Sequence, residues 1–248
     1  MGSGEHENEV QKLITHIRLM SEIKVVRRPA ATSKPMSITS IQPTQAAILP
    51  GSISLRNLPD VIAIGASAGG PLAIQKLFNG LNNDFIIPIV IVQHIEPVFA
   101  EGFAQWLELT TGKKVFMAFD GMELKQGMIV LPPGDVHLSF RDKAVLKTPK
   151  TPPDRGLRPS VNHLFTSIAN TYGPGAVGII LSGMGNDGVE GLRLMRNKGA
   201  VTIAQNAESS MIHGMPGEAI KTGAAKYNFS IEQMINYLNE INRQRTKV

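Results

Sequence analysis

The chain has 248 residues, a net charge of +5, 42% hydrophobic and 18% charged residues, and no cysteine. That make-up supports a large hydrophobic core and excludes disulfides, thiol catalysis and cysteine-ligated metals. No apolar run reaches the roughly 18 residues of a membrane span, and no signal-peptide pattern opens the chain, so a cytoplasmic location without membrane insertion is expected.

Residues 1–28 are expected to carry an amphipathic helix, because Val10, Leu13, Ile14, Ile17 and Met20 recur at helical spacing with Lys12, His16 and Arg18 between them. Residues 29–57 turn to Pro, Ser, Thr and Gln and read as a linker. The basic clusters at Lys24 to Arg28 and Arg243 to Lys247 lie near the ends and lack interleaved aromatics, so no nucleic-acid partner is expected.

From residue 58 to residue 248 short apolar strands alternate with helical stretches. Strands are expected at 61–64, 87–92, 115–118, 128–131, 176–181 and 200–204, and helices at 71–78, 99–110 and 188–197. This is an α/β pattern: a doubly wound, mostly parallel sheet with helices on both faces. Between Val115 and Val145 strands follow one another without a helix, separated by Asp120-Gly121, Pro132-Pro133-Gly134-Asp135 and Arg141-Asp142-Lys143. A β-hairpin excursion is expected there.

The first of these strands runs into Gly65-Ala-Ser-Ala-Gly-Gly-Pro71, with Ser67 at the centre of a strand-to-helix turn. Such a turn exposes a nucleophile beside backbone donors, cradles an anion at a helix N-terminus, or simply packs. A dinucleotide fingerprint needs glycine where Ser67 stands, and a Walker loop needs Lys-Ser/Thr where Pro71-Leu72 follows. On the turn alone the three readings stay open.

The other strand ends narrow them. In open α/β sheets functional groups gather beyond the carboxyl ends of the strands. The second strand ends at Gln93-His94, and a later one at Ser182-Gly-Met-Gly-Asn-Asp-Gly188. A serine hydroxyl is a weak nucleophile until an imidazole accepts its proton, and a carboxylate fixes that imidazole's tautomer. Ser67, His94 and Asp187 supply those three groups, and the order along the chain does not constrain a triad. His137, His163 and His213 compete for the role of base. His213 is the strongest rival, since it lies in Ser209-Ser-Met-Ile-His-Gly-Met-Pro216, another loop of the same face.

The motifs Ile64-Gly-Ala-Ser-Ala-Gly-Gly-Pro71, Val90-Ile-Val-Gln-His94, Arg158-Pro-Ser-Val161, Leu181-Ser-Gly-Met-Gly-Asn-Asp-Gly188 and Gly214-Met-Pro-Gly-Glu-Ala219 occur in this order. With the stretch from Phe99 to Trp106, they closely resemble the catalytic domain of chemotaxis protein-glutamate methylesterases of the CheB type. The resemblance implies Ser67 as nucleophile, His94 as general base and then acid, and Asp187 as its orienting carboxylate. It implies an oxyanion site around Ala68, Met184 and Gly185, with Arg158 and Met215 lining the cleft. The implied substrate is a γ-methyl glutamyl ester on the cytoplasmic helices of a methylated chemoreceptor, with deamidation of receptor glutamines as a second activity. No metal or organic cofactor is implied. A non-catalytic docking module and a nucleotide-binding α/β protein are the alternatives.

Departures accompany the resemblance. Family members commonly carry Thr where Ala68 stands and Asp where Asn162 and Asn206 stand. They also commonly carry an N-terminal phosphoacceptor receiver domain, for which this chain offers no counterpart. The expectation is that it lacks phosphorylation control of its own, which stoichiometric acyl-phosphate labelling of the chain would contradict.

Overall fold

The computed structural model describes residues 58–246. The amphipathic pattern of residues 1–28 and the linker of 29–57 lie outside the described residues. Within them, nine strands form a seven-stranded sheet and a two-stranded one.

The large sheet has the order β3-β4-β2-β1-β7-β8-β9, and every pairing in it is parallel. Its strands are β1 (Val61–Ala66), β2 (Ile89–Gln93), β3 (Val115–Met117), β4 (Ile129–Leu131), β7 (Ala176–Ile180), β8 (Val201–Gln205) and β9 (Tyr227–Phe229). The central strands are short runs of Ile, Val and Ala because both of their faces are covered. Alternate side chains enter opposite layers. Ile62, Ile64, Ile89, Ile91, Val177 and Ile179 meet α1 (Gly70–Gly80), α2 (Ala100–Thr111) and α6 (Ile231–Arg245). Val61, Ala63, Val90, Val92, Ala176 and Ile180 meet α3 (Val161–Tyr172), α4 (Val189–Asn197) and α5 (Gly214–Lys221). Each Ile or Val side chain among them taken fully out of water contributes about 1.5–3 kcal/mol.

Two close approaches set how the helices sit. Gly65 passes beneath Val161, the first residue of α3, and any Cβ there would overlap that valine. Gly191 lets α4 settle on α3, where a Cβ would lie 2.7 Å from that of Phe165. α6 begins with a reciprocal cap, in which Ser230 accepts from Gln233 N and the Gln233 side chain accepts from Ser230 N.

The excursion expected between Val115 and Val145 is smaller than the pattern suggests. β3 and β4 are parallel members of the main sheet, and only β5 (Ser139–Asp142) and β6 (Val145–Lys147) form an antiparallel hairpin. β4 inserts between β2 and β3, so a crossover without a helix joins β3 to β4.

The chain leaves β1, runs outward through β2, and returns to β7 on the opposite side of β1. The strand order therefore reverses at the centre of the sheet, which opens a crevice at the carboxyl ends of β1 and β7.

Candidate active site

Register brings the first two candidate residues together. Ala66 pairs with Gln93, so Ser67 and His94 are the next residues on neighbouring strands, and His94 N donates to Ala66 O at 2.9 Å. The Gln93 side chain ties them further: its Nε2 donates to Ser67 O and to His94 O, both at 2.9 Å. Gln93 Oε1 is buried without a hydrogen-bond partner and lies where a Cβ on Gly70 would go.

The loop after β7 closes over the same point. Ser67 N donates to Ser182 O at 3.0 Å, and the Ser182 hydroxyl lies 2.8 Å from its acceptor Ala68 O while accepting from Ile212 N at 2.9 Å. Three loops, those following β1, β7 and β8, are thus bound to one another around Ser67. Gly183 permits this, since a Cβ there would lie 2.8 Å from that of Ser67. Gly69 makes the turn with φ of 79°, and Pro71 opens α1.

His94 Nε2 donates to Asp187 Oδ2 at 2.8 Å. Asp187 is buried, and the N-terminus of α3 surrounds its carboxylate. Oδ2 also accepts from Val161 N at 2.7 Å, and Oδ1 accepts from Asn162 N at 3.0 Å and faces the Ser160 hydroxyl at 3.0 Å. Burial alone would push the Asp187 carboxyl up. The hydrogen bond from His94 and those from the Asn162 and Val161 amides outweigh it and hold the group below the usual aspartate range. The helix terminus adds to this, because its unpaired N–H groups favour an anion.

Of the rival histidines, none reaches Asp187. His213 contacts Ser210 Oγ at 3.3 Å. His137 is fully buried, with Nε2 donating to Pro152 O at 3.2 Å and Nδ1 accepting from Ser160 N. His163 stacks on His137 at 4.3 Å, and its burial followed by the neighbouring His137 pushes its titration down.

Ala68, Met184 and Gly185 are exposed on the rim around Ser67. Among the described residues, the N–H groups of Ala68 and Met184 donate to no acceptor. The side chains of the two residues expected to line the cleft are engaged by neighbours. Arg158 pairs with Asp135 and donates to Thr151 O, bracing the loop that precedes β5. Met215 is fully buried beneath the Gly183 backbone, where it serves as packing. Asn162 Oδ1 accepts from Gly191 N at 2.9 Å and Asn206 Oδ1 accepts from Ser209, and neither amide side chain is hydrogen-bonded to His94 or Asp187.

Sequence reasoning passed over Gln93, Ser160 and Ser182 as supports of this site. Ser160 carried a usable signal, a serine directly before an apolar helical run, which marks an N-cap.

Residues 62–238 match the family model for CheB methylesterase. The chain belongs to the CheB methylesterase family. A protein-glutamate methylesterase/protein-glutamine glutaminase of Geobacter metallireducens is 40% identical over 97% of this chain and 67% of its own length. A protein of the same description from Nitrosospira multiformis is 37% identical over 99% of this chain and 67% of its own length. The Thermotoga maritima CheB methylesterase catalytic domain superimposes with a TM-score of 0.71 at 31% identity, covering 74% of this chain and 98% of that domain. The parallel sheet and its flanking helices are therefore the family's fold.

Proposed function

We propose that this CheB-family chain is a serine hydrolase that removes γ-methyl esters from glutamate residues of methyl-accepting chemoreceptors, releasing methanol, and deamidates receptor glutamines. The observation that carries the mechanism is Asp187, held at a helix N-terminus and bonded to the histidine that follows the strand next to Ser67.

Asp187 occupies Nε2 of His94, which leaves Nδ1 as the base toward the Ser67 hydroxyl. Ser67 Oγ attacks the γ-carbonyl as its proton passes to His94. The imidazolium that forms is stabilised by Asp187. The oxyanion develops beside the unpaired N–H groups of Ala68 and Met184, where preorganised donors are worth about 2.7–4 kcal/mol apiece. His94 then protonates the departing methoxide, giving methanol and an acyl-serine. Water, deprotonated by His94, attacks the acyl carbon, and Ser67 leaves with the proton. With a glutamine substrate the same cycle expels ammonia in place of methanol.

The surroundings suit a helical protein substrate. Leu72, Phe99, Met184 and Met211 stand exposed at 48%, 61%, 76% and 66% around the loops that carry Ser67 and its neighbours. Pro71, Leu72, Ile95, Phe99, Phe103 and Trp106 line a groove of about 330 Å³ beside α1. Apolar side chains at one-turn spacing on an amphipathic helix fit such a groove.

Product analysis tests the reading. A methyl-esterified chemoreceptor cytoplasmic fragment should yield methanol, and its glutamine form ammonia, with glutamate at the same positions. Release of neither product by the folded protein would contradict it.

A further inference from the structure

Ser160 is fully buried, and all its polar atoms are engaged at the start of α3. Its N–H donates to His137 Nδ1 at 3.2 Å, its carbonyl accepts from Leu164 N, and its Oγ accepts from His163 N at 3.3 Å. The last of these is all that an N-cap requires. The hydroxyl proton is left over, and it faces two carboxylates: Asp187 Oδ1 at 3.0 Å and Asp154 Oδ2 at 3.1 Å. A serine hydroxyl has one proton. It serves one carboxylate at a time, and the other then meets a lone pair.

We propose that Ser160 is a positioning residue of the active site, and that Asp154 competes with Asp187 for its hydroxyl proton and so grades the grip of Asp187 on His94. The inference rests on the triad reading above. Asp154 is well placed for the task, because reciprocal backbone hydrogen bonds with Leu157, at 3.0 and 2.9 Å, fix its turn. Donation from Ser160 to Asp187 spreads the negative charge of that carboxylate and weakens its pull on the His94 proton. Donation to Asp154 releases Asp187 to hold the imidazolium more strongly. The charged and titratable groups facing this cluster are few. Arg155, from the same turn as Asp154, lies near both carboxylates and is bonded to Glu190 of α4 at 2.7 and 2.8 Å. His163 and His137 stack on the α3 side, and His94 faces Asp187 directly.

The two substitutions that separate the partners have opposite consequences. Ser160→Ala removes a donor from Asp187, so the acid limb of the rate profile, which reports the His94–Asp187 pair, moves to higher pH. At its plateau kcat falls on the order of tenfold, the worth of one hydrogen bond to a charged group, with KM unchanged. Asp154→Asn replaces the rival carboxylate with a weaker, neutral acceptor and removes a negative charge, so the hydroxyl shifts toward Asp187 and the acid limb moves to lower pH. Ser160→Thr keeps the hydroxyl and restores the wild-type profile. A residue that only caps α3 would lower the melting temperature without producing shifts of opposite sign.

The decisive experiment follows the titration of the His94 imidazole by NMR in the wild type, Ser160→Ala and Asp154→Asn, alongside the rate profiles. Shifts of opposite sign support the proposal. Shifts of the same sign, or an unmoved titration in either variant, overturn it, and Asp154→Asn decides alone if Ser160→Ala does not fold. The titration needs no turnover, so it is read even if the receptor ester is not hydrolysed, and Ser67→Ala assayed in parallel reports separately on the triad itself.

Discussion

Asp187 accepts from two backbone amides and one imidazole and faces a serine hydroxyl, and that crowding of donors explains why a buried carboxylate stays ionised. Because its folded-state titration lies below the usual value of 3.8, its contribution to stability is present above that pH and disappears as the pH falls through the lower folded value. Asp187→Asn should therefore be less stable than the wild type at neutral pH, and the gap should close as unfolding is measured in increasingly acidic buffer. Its kcat should fall about 10⁴-fold, as for other triads that lose their orienting carboxylate. Gln93 works on the same scale. Its amide is the only donor shared by the backbones of Ser67 and His94 among the described residues. Gln93→Glu would turn an acceptor toward both carbonyls, and a loss of about 2–3 kcal/mol in unfolding free energy is expected, with kcat lowered at unchanged KM. An unaltered kcat in a folded Gln93→Glu protein would contradict the role given to it.

At the scale of elements, the site depends on α3 reaching β1. Gly65 and Val161 make that contact, so Gly65→Ala should destabilise the fold by about 1–3 kcal/mol through overpacking. Val161→Ala in the same chain should recover part of the loss, a coupling that a double-mutant cycle measures directly. Additive effects would contradict the packing described. On the opposite layer, the Tyr237 hydroxyl of α6 is buried with no hydrogen-bond partner, and burial pushes its titration far upward. Tyr237→Phe removes an unsatisfied polar atom, so its melting temperature should equal or exceed that of the wild type. The same scale shows where sequence patterns suffice and where they fail. Ile62, Ile64, Ile89 and Ile91 announce buried parallel strands whatever their neighbours. β3 and β4 are three residues each, too short to reveal direction, and with no helix between them they read as a hairpin. Their partner is chosen by the vacant edge of β2, which is a property of the assembled sheet.

Across the whole molecule, the parallel sheet delivers Ser67, His94 and Asp187 from the ends of β1, β2 and β7, three strands adjacent in space although Asp187 lies 93 residues beyond His94. In the sequence Ser67 and His94 directly follow apolar strands, and Asp187 stands in the loop beyond another, on the face where such sheets gather their chemistry. The supports were harder to read: Asp154 lies in an irregular loop, and Ser160, marked in the sequence only as an N-cap, meets Asp187 across 27 residues. Met215 was misjudged for a related reason: its position in a motif says nothing about which neighbour claims the side chain, here the underside of Gly183. The exposed apolar rim of Leu72, Phe99, Met184 and Met211 belongs to this scale too, as a surface that only the folded loops assemble. The central claim is that Ser67, activated by His94, hydrolyses glutamyl methyl esters. The most direct measurement is methanol release from a methylated chemoreceptor cytoplasmic fragment by the wild type and by Ser67→Ala, both shown to be folded. Release by the wild type, reduced by several orders of magnitude in Ser67→Ala, is the expected result. Equal release by the two proteins would contradict the account.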